Sequence, residues 1–267
     1  MAHYLSLAQD RLAVSPQILL VPGLNNSDEN HWQSRWEAER EDCTRVELGL
    51  WDNPHRNTWV NKLNLAIHRA ERPVILVAHS LGCLAVAWWA EYERPEATNP
   101  VVGALLVAPP DVDRPGADER LARFGFCPRT PLPFPSFLAA SEDDHYCQLR
   151  TARMLARDWG SRFAFAGAVG HINADSNLGD WEFGKALLRQ LEREHERKSS
   201  ANSAIAQPYK PAGVTASAPS FTNAVQSGQS ASSRPTAFGL VAQASSFCGN
   251  RGGVPAVAAS LRHSNPS

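Results

Sequence analysis

The chain has 267 residues, 43% of them hydrophobic and 20% charged, with a formal net charge of −1, so it can hold one large domain or two small ones. That balance excludes the strongly basic class of nucleic-acid binders, and no apolar run approaches the ~20 residues of a membrane-spanning helix. The charge is uneven: of the 26 Lys and Arg, five lie at 198–267 with no Asp or Glu, which leaves residues 1–197 with 21 basic against 27 acidic side chains, a net of −6.

Residues 1–16, with His3, Gln9, Asp10 and Arg11, lack the basic start and apolar core of a secretory signal and read as an N-terminal extension. Gln17 to Val21 is a short buried strand that stops at Pro22-Gly23. Ser27 or Asp28 can cap the next helix, Glu29 to Glu41, in which Trp32 and Trp36 share a core-facing side. Thr44 to Leu48 alternates and reads as a strand near an edge. Trp59, Leu63, Ala66, Ile67 and Ala70 recur at helical spacing, so a helix ends near Ala70.

Val74 to Val77 is continuously apolar, as in a strand buried on both faces, and Leu84 to Ala90 is an apolar, Ala-rich helix. Between them Ala78-His79-Ser80-Leu81-Gly82 makes a sharp strand-to-helix turn with Ser80 at its tip. The positions two before and two after such a serine must be small because the strand and helix backbones nearly touch. The usual pattern has Gly at both, so Ala78 is a departure. The strain of the turn lifts the Ser80 hydroxyl clear of the sheet and sets the Leu81 N–H at a helix N-terminus, where an oxyanion is stabilised.

Pro100 to Ala108 is a fourth strand. Residues 109–135 contain seven Pro and are irregular, with room for a short helix at Ala117–Phe124 and none for a large lid domain. Phe137 to Ala140 is a fifth strand, Cys147 to Trp159 a helix, Phe163 to Phe165 a sixth strand, and Trp181 to about His195 the last helix. Alternating strands and helices with short connections specify α/β architecture: a mostly parallel sheet of about six strands with helices on both faces, spanning 17–197. From Ser199 the composition turns to Ser, Ala, Pro, Gly and Gln without period, so 198–267 reads as a disordered tail.

A serine hydroxyl needs a base within hydrogen-bond reach, and the base needs an orienting carboxylate. On a sheet of this kind the chain order is Ser, then Asp or Glu, then His. The loop after the fifth strand reads Ser141-Glu142-Asp143-Asp144-His145, and the loop after the sixth reads Val169-Gly170-His171-Ile172. His171 is the base. Asp144 is the chosen acid because it lies nearest the following helix, with Asp143 as the alternative. Leu24, in the loop after the first strand, is the candidate for a second oxyanion N–H beside Leu81. His79 reads as a packing and hydrogen-bonding neighbour. Cofactor and metal are both read as none, since no phosphate loop or ligand cluster is present. The five Cys, at 43, 83, 127, 147 and 248, are odd in number and show no C-x-x-C spacing, which points to a reducing, cytoplasmic setting.

The ordered motifs Val21-Pro22-Gly23-Leu24, His31-Trp32-Gln33, Val77 to Cys83, Ser141 to Cys147 and Gly170 to Ser176 resemble the small serine hydrolases related to retinoblastoma-binding protein 9. The bacterial branch is the more similar, including its Ala at the first elbow position. The resemblance spans about residues 17–195. It implies a compact α/β-hydrolase fold, a Ser80–Asp144–His171 triad with Asp144 preferred over Asp143, and hydrolysis of small esters or amides. Two other readings use the same chain: a non-catalytic protein-binding module of the same fold, and an acyltransferase working through the same triad. The partners expected are a small-molecule ester or amide substrate, with no nucleic acid and no membrane.

Overall fold

The computed structural model describes residues 15–96 and 99–205. Its elements run β1 (Gln17–Val21), α1 (Trp32–Glu39), β2 (Cys43–Arg45), α2 (Arg56–Arg69), β3 (Val74–His79), α3 (Leu81–Glu93), β4 (Val101–Val107), α4 (Glu119–Ala122), β5 (Ser136–Ala140), α5 (Leu149–Asp158), β6 (Arg162–Phe165) and α6 (Glu182–Ile205). The six strands form one sheet in the order β2-β1-β3-β4-β5-β6, and every neighbouring pair is parallel. This is the α/β architecture expected from the alternating elements. Between β4 and β5 the only helix is the single turn of α4, so no lid domain is built there.

Side chains alternate across the strands, and both sheet faces are apolar. Leu19, Val21, Leu76 and Ala78 face α2, α3 and α5, where they meet Trp59, Leu84, Trp89 and Leu155. Ile18, Leu20, Ile75 and Val77 face the other way, onto Trp32 and Trp36 of α1 and Leu188 and Leu191 of α6. The layers are therefore helix, sheet and helix. α3 is buried from Leu81 to Ala90, which is why its sequence shows no polar stripe. Each large apolar side chain enclosed this way contributes about 1.5–3 kcal/mol relative to exposure.

Several boundaries depart from the sequence-based expectation. α1 begins at Trp32 rather than Glu29, and its cap is His31, whose Nδ1 accepts from Gln33 N. Asp28 instead accepts from the N–H groups of Asn30 and His31, closing a turn before the helix. β2 ends at Arg45, although the alternating Val46 and Leu48 remain buried. Apolar alternation reports burial, and here the chain leaves the ladder after the Val46 N–H, which donates to Leu20 O at 2.9 Å, while still packing on the core.

At the other end, Trp181 precedes α6 in a left-handed conformation (φ 48). α6 then runs to Ile205, past the expected end near His195 and across the expected tail boundary at 198. Lys198, Ser199, Ser200 and Ala201 contain no breaker, and a change of composition toward Ser and Ala does not stop a helix. The remainder of the expected tail and most of the N-terminal extension lie outside the described residues.

Candidate active site

β1 lies between β2 and β3, so chain order reverses there and a crevice opens at the carboxyl ends of β1 and β3. The loops after these two strands meet in it. Ser80, between β3 and α3, has φ 51 and ψ −124, a strained conformation for a residue with a Cβ. The close approach that enforces it is visible at two glycines. A Cβ on Gly82 would lie 2.2 Å from Val21 O, and one on Gly23 would lie 2.8 Å from Ser80 Cβ and 3.3 Å from Leu81 N. Ala78 is tolerated because its methyl points into the core against α2 and α3 rather than into the turn.

β5 and β6 are adjacent, which brings together the loops that follow them. His171 Nε2 stands 2.9 Å from Ser80 Oγ, and His171 Nδ1 stands 2.9 and 3.0 Å from the two oxygens of Asp144. Tyr146 N–H donates to Asp144 Oδ1 at 2.9 Å. All three side chains are buried. The neighbouring Asp143 turns away from the imidazole. Its Oδ1 accepts from Ser141 Oγ at 2.6 Å and from Gly170 N at 2.8 Å, and those two bonds, the serine's first, hold its carboxyl below the usual range.

Leu24 lines a cavity of about 290 Å³ together with Ser80, His79 and His171. Leu81 N heads α3 beside Gly23. Neither the Leu24 N–H nor the Leu81 N–H donates to a protein acceptor among the described residues. Two free donors next to a serine can receive a negative oxygen. Among the described residues no group of three or more His, Cys, Asp or Glu could hold a metal ion, and no helix is long and apolar enough to cross a membrane.

His79 is the packing and hydrogen-bonding neighbour expected from the sequence, with Nε2 3.0 Å from His171 O, whereas sequence reasoning missed the part played by Gln33 and His31. Gln33 is fully buried; its Nε2 donates to Val77 O at 3.0 Å and its Oε1 accepts from Ser27 Oγ at 2.7 Å. A glutamine next to a tryptophan on an apolar helix face was the available signal. His31 packs edge-on to His79 at 4.7 Å, and His79 lies 5.0 Å from His171. Burial pushes His31 down to about 4, against a partial opposing pull from Asp28, and burial likewise holds His79 well below its ordinary value.

Both groups therefore take up protons more readily in the unfolded chain. The contribution of His31 to stability is whole above pH 6.5 and is lost on acidification toward pH 4, and that of His79 falls in the same direction. His31 alone should account for about 3 kcal/mol by pH 4. Urea unfolding across this range should show the fall, and His31→Asn, which keeps a capping acceptor, should reduce it by the His31 share and leave that of His79.

The family model described as serine hydrolase matches residues 18–190. Among solved structures, a protein described as a YdeN-like hydrolase from Pectobacterium atrosepticum is 29% identical, with a TM-score of 0.60 over 72% of this chain and 98% of that one. The ydeN gene product of B. subtilis is 21% identical, with a TM-score of 0.52 over 66% of this chain and 98% of that one. No curated protein is similar enough to match.

Proposed function

From its place in the serine hydrolase family, to which this chain belongs, we propose that it hydrolyses small esters or amides through an acyl-enzyme on Ser80. The observation that carries the reading is the 2.9 Å approach of Ser80 Oγ to His171 Nε2, with Asp144 on the far side of the ring. The His171 Nδ1–H donates to Asp144, so Nε2 is bare and accepts the Ser80 hydroxyl proton. Ser80 Oγ attacks the substrate carbonyl carbon. The N–H groups of Leu24 and Leu81 receive the oxyanion. His171 then passes its proton to the departing alcohol or amine, and the acyl group stays on Ser80. A water molecule, deprotonated by the same imidazole, releases the acid and restores the hydroxyl.

The substrate side is supported by the cavity. About 290 Å³, walled by Asn25, Asn26, Asp28, Asn173 and Asp175 among others, suits a small polar molecule better than a long acyl chain. That agrees with the motif resemblance to the retinoblastoma-binding protein 9 group. The free, buried Cys43, Cys83, Cys127 and Cys147 support a cytoplasmic setting.

A fluorophosphonate probe tests the reading. It should label the wild-type protein on Ser80, located by mass spectrometry, and leave Ser80→Ala unlabelled. Labelling of the variant, or none in the folded wild type, overturns it.

A further inference from the structure

The His171 loop is gripped at three consecutive residues by side chains from three other segments. Gly170 N–H donates to Asp143 at 2.8 Å, His79 Nε2–H donates to His171 O at 3.0 Å, and Trp32 Nε1–H donates to Ile172 O at 2.8 Å. The backbone between them is strained. Ile172, a β-branched residue, has φ 51, whereas Gly170, two residues earlier, takes φ 64 without strain. Such a conformation in a β-branched residue costs roughly 1–3 kcal/mol and persists only where the surroundings over-determine it.

We propose that His79 and Trp32 are positioning residues, which hold the His171 imidazole on Ser80 by fixing the carbonyls of His171 and Ile172. The role rests on the triad reading above and deepens it. His79 is the last residue of β3 and is bonded directly to Ser80, so the donor that locates the base hangs from the same strand as the nucleophile. The 2.9 Å separation of Ser80 and His171 is thereby referred to one rigid element rather than to a loop.

Neither donor can easily turn away. Trp32 is wedged between the rings of Trp36 at 4.8 Å and Trp181 at 4.9 Å, and His79 sits between those of His31 and His171. His79 must present Nε2–H, since its acceptor is a carbonyl. Removing either donor leaves a backbone carbonyl short of a partner and frees the strained turn to relax.

His79→Leu removes the donor at similar volume, His79→Gln keeps an N–H donor, and Trp32→Phe keeps most of the ring without its N–H. With a nitrophenyl ester, His79→Leu and Trp32→Phe should each lower kcat about 10- to 100-fold while KM stays within about twofold. His79→Gln should recover most of the loss. In a Ser80→Ala background, the downfield proton of His171 Nδ1–H should be sharp with His79 or Gln at that position and broadened by Leu.

Wild-type kcat in His79→Leu overturns the proposal, as does equal impairment of the Leu and Gln variants at equal melting temperature. If His79→Leu does not fold, Trp32→Phe and the Gln variant carry the same two tests. Hydrolysis that survives Ser80→Ala would instead defeat the triad reading, and the proton resonance still decides the grip on His171 in that event.

Discussion

Ser80→Ala and His171→Ala should each lower kcat for a nitrophenyl ester by about 10⁶, and the double variant should be no worse than either one. On the triad reading the two side chains, 2.9 Å apart, share a single proton, and each is useless without the other. Alanine at 80 leaves a base with nothing to activate. Alanine at 171 leaves a hydroxyl whose proton has no acceptor. The residual rate over water, about 10³-fold, would come from the Leu24 and Leu81 N–H groups and from binding alone. Purified variants at equal protein concentration with matched melting curves give the comparison. Losses that multiply in the double variant would mean that the two residues act in separate steps, and the mechanism would have to be redrawn.

Gly82→Ala should break the protein rather than merely slow it. The added methyl would lie 2.2 Å from Val21 O and 2.6 Å from Pro22 O, where ordinary contact begins near 3.4 Å. Both oxygens belong to backbone at the end of β1, so no side chain can swing aside. Relief requires β1 and the start of α3 to part by roughly 1 Å, against a parallel ladder in which Val21 pairs with Ala78. Overpacking of this kind costs about 3 kcal/mol or more. For a domain of this size that is a fall in melting temperature of roughly 6–12 °C. The same parting separates Leu24 N from Leu81 N, so the surviving folded fraction should react with a fluorophosphonate far more slowly. A variant with wild-type melting and labelling would show that the close approach is not required.

Much of this arrangement was legible in the sequence because it depends on local rules. A strand buried on both faces, a serine between small residues and an Ala-rich helix describe the elbow without any tertiary knowledge. The order of Ser80, the acidic loop and His171 places three loops at one edge of a parallel sheet once the βα alternation is accepted. What was hidden depends on contacts between distant segments. The division of labour between Asp143 and Asp144 follows from how two adjacent loops pack, and spacing along the chain does not encode it. His31 replaces Ser27 or Asp28 as the cap because Asp28 is spent on a turn and Ser27 on Gln33, a residue buried only after α1 docks. α6 outran its expected end because helix propensity continues where amphipathic pattern fades.

The placement of the three loops also sets when the site can exist during synthesis. β3, β5 and β6 lie in chain order along one side of the sheet, and the base follows the last of them. A nascent chain that has emerged only as far as Phe165 carries the serine elbow and both aspartates but no imidazole to complete them. Its Gly82 contact with β1 and its packed α3 can already form. On the triad reading proposed above, reactivity at Ser80 therefore waits until the chain beyond β6 has folded back under Trp32 and His79.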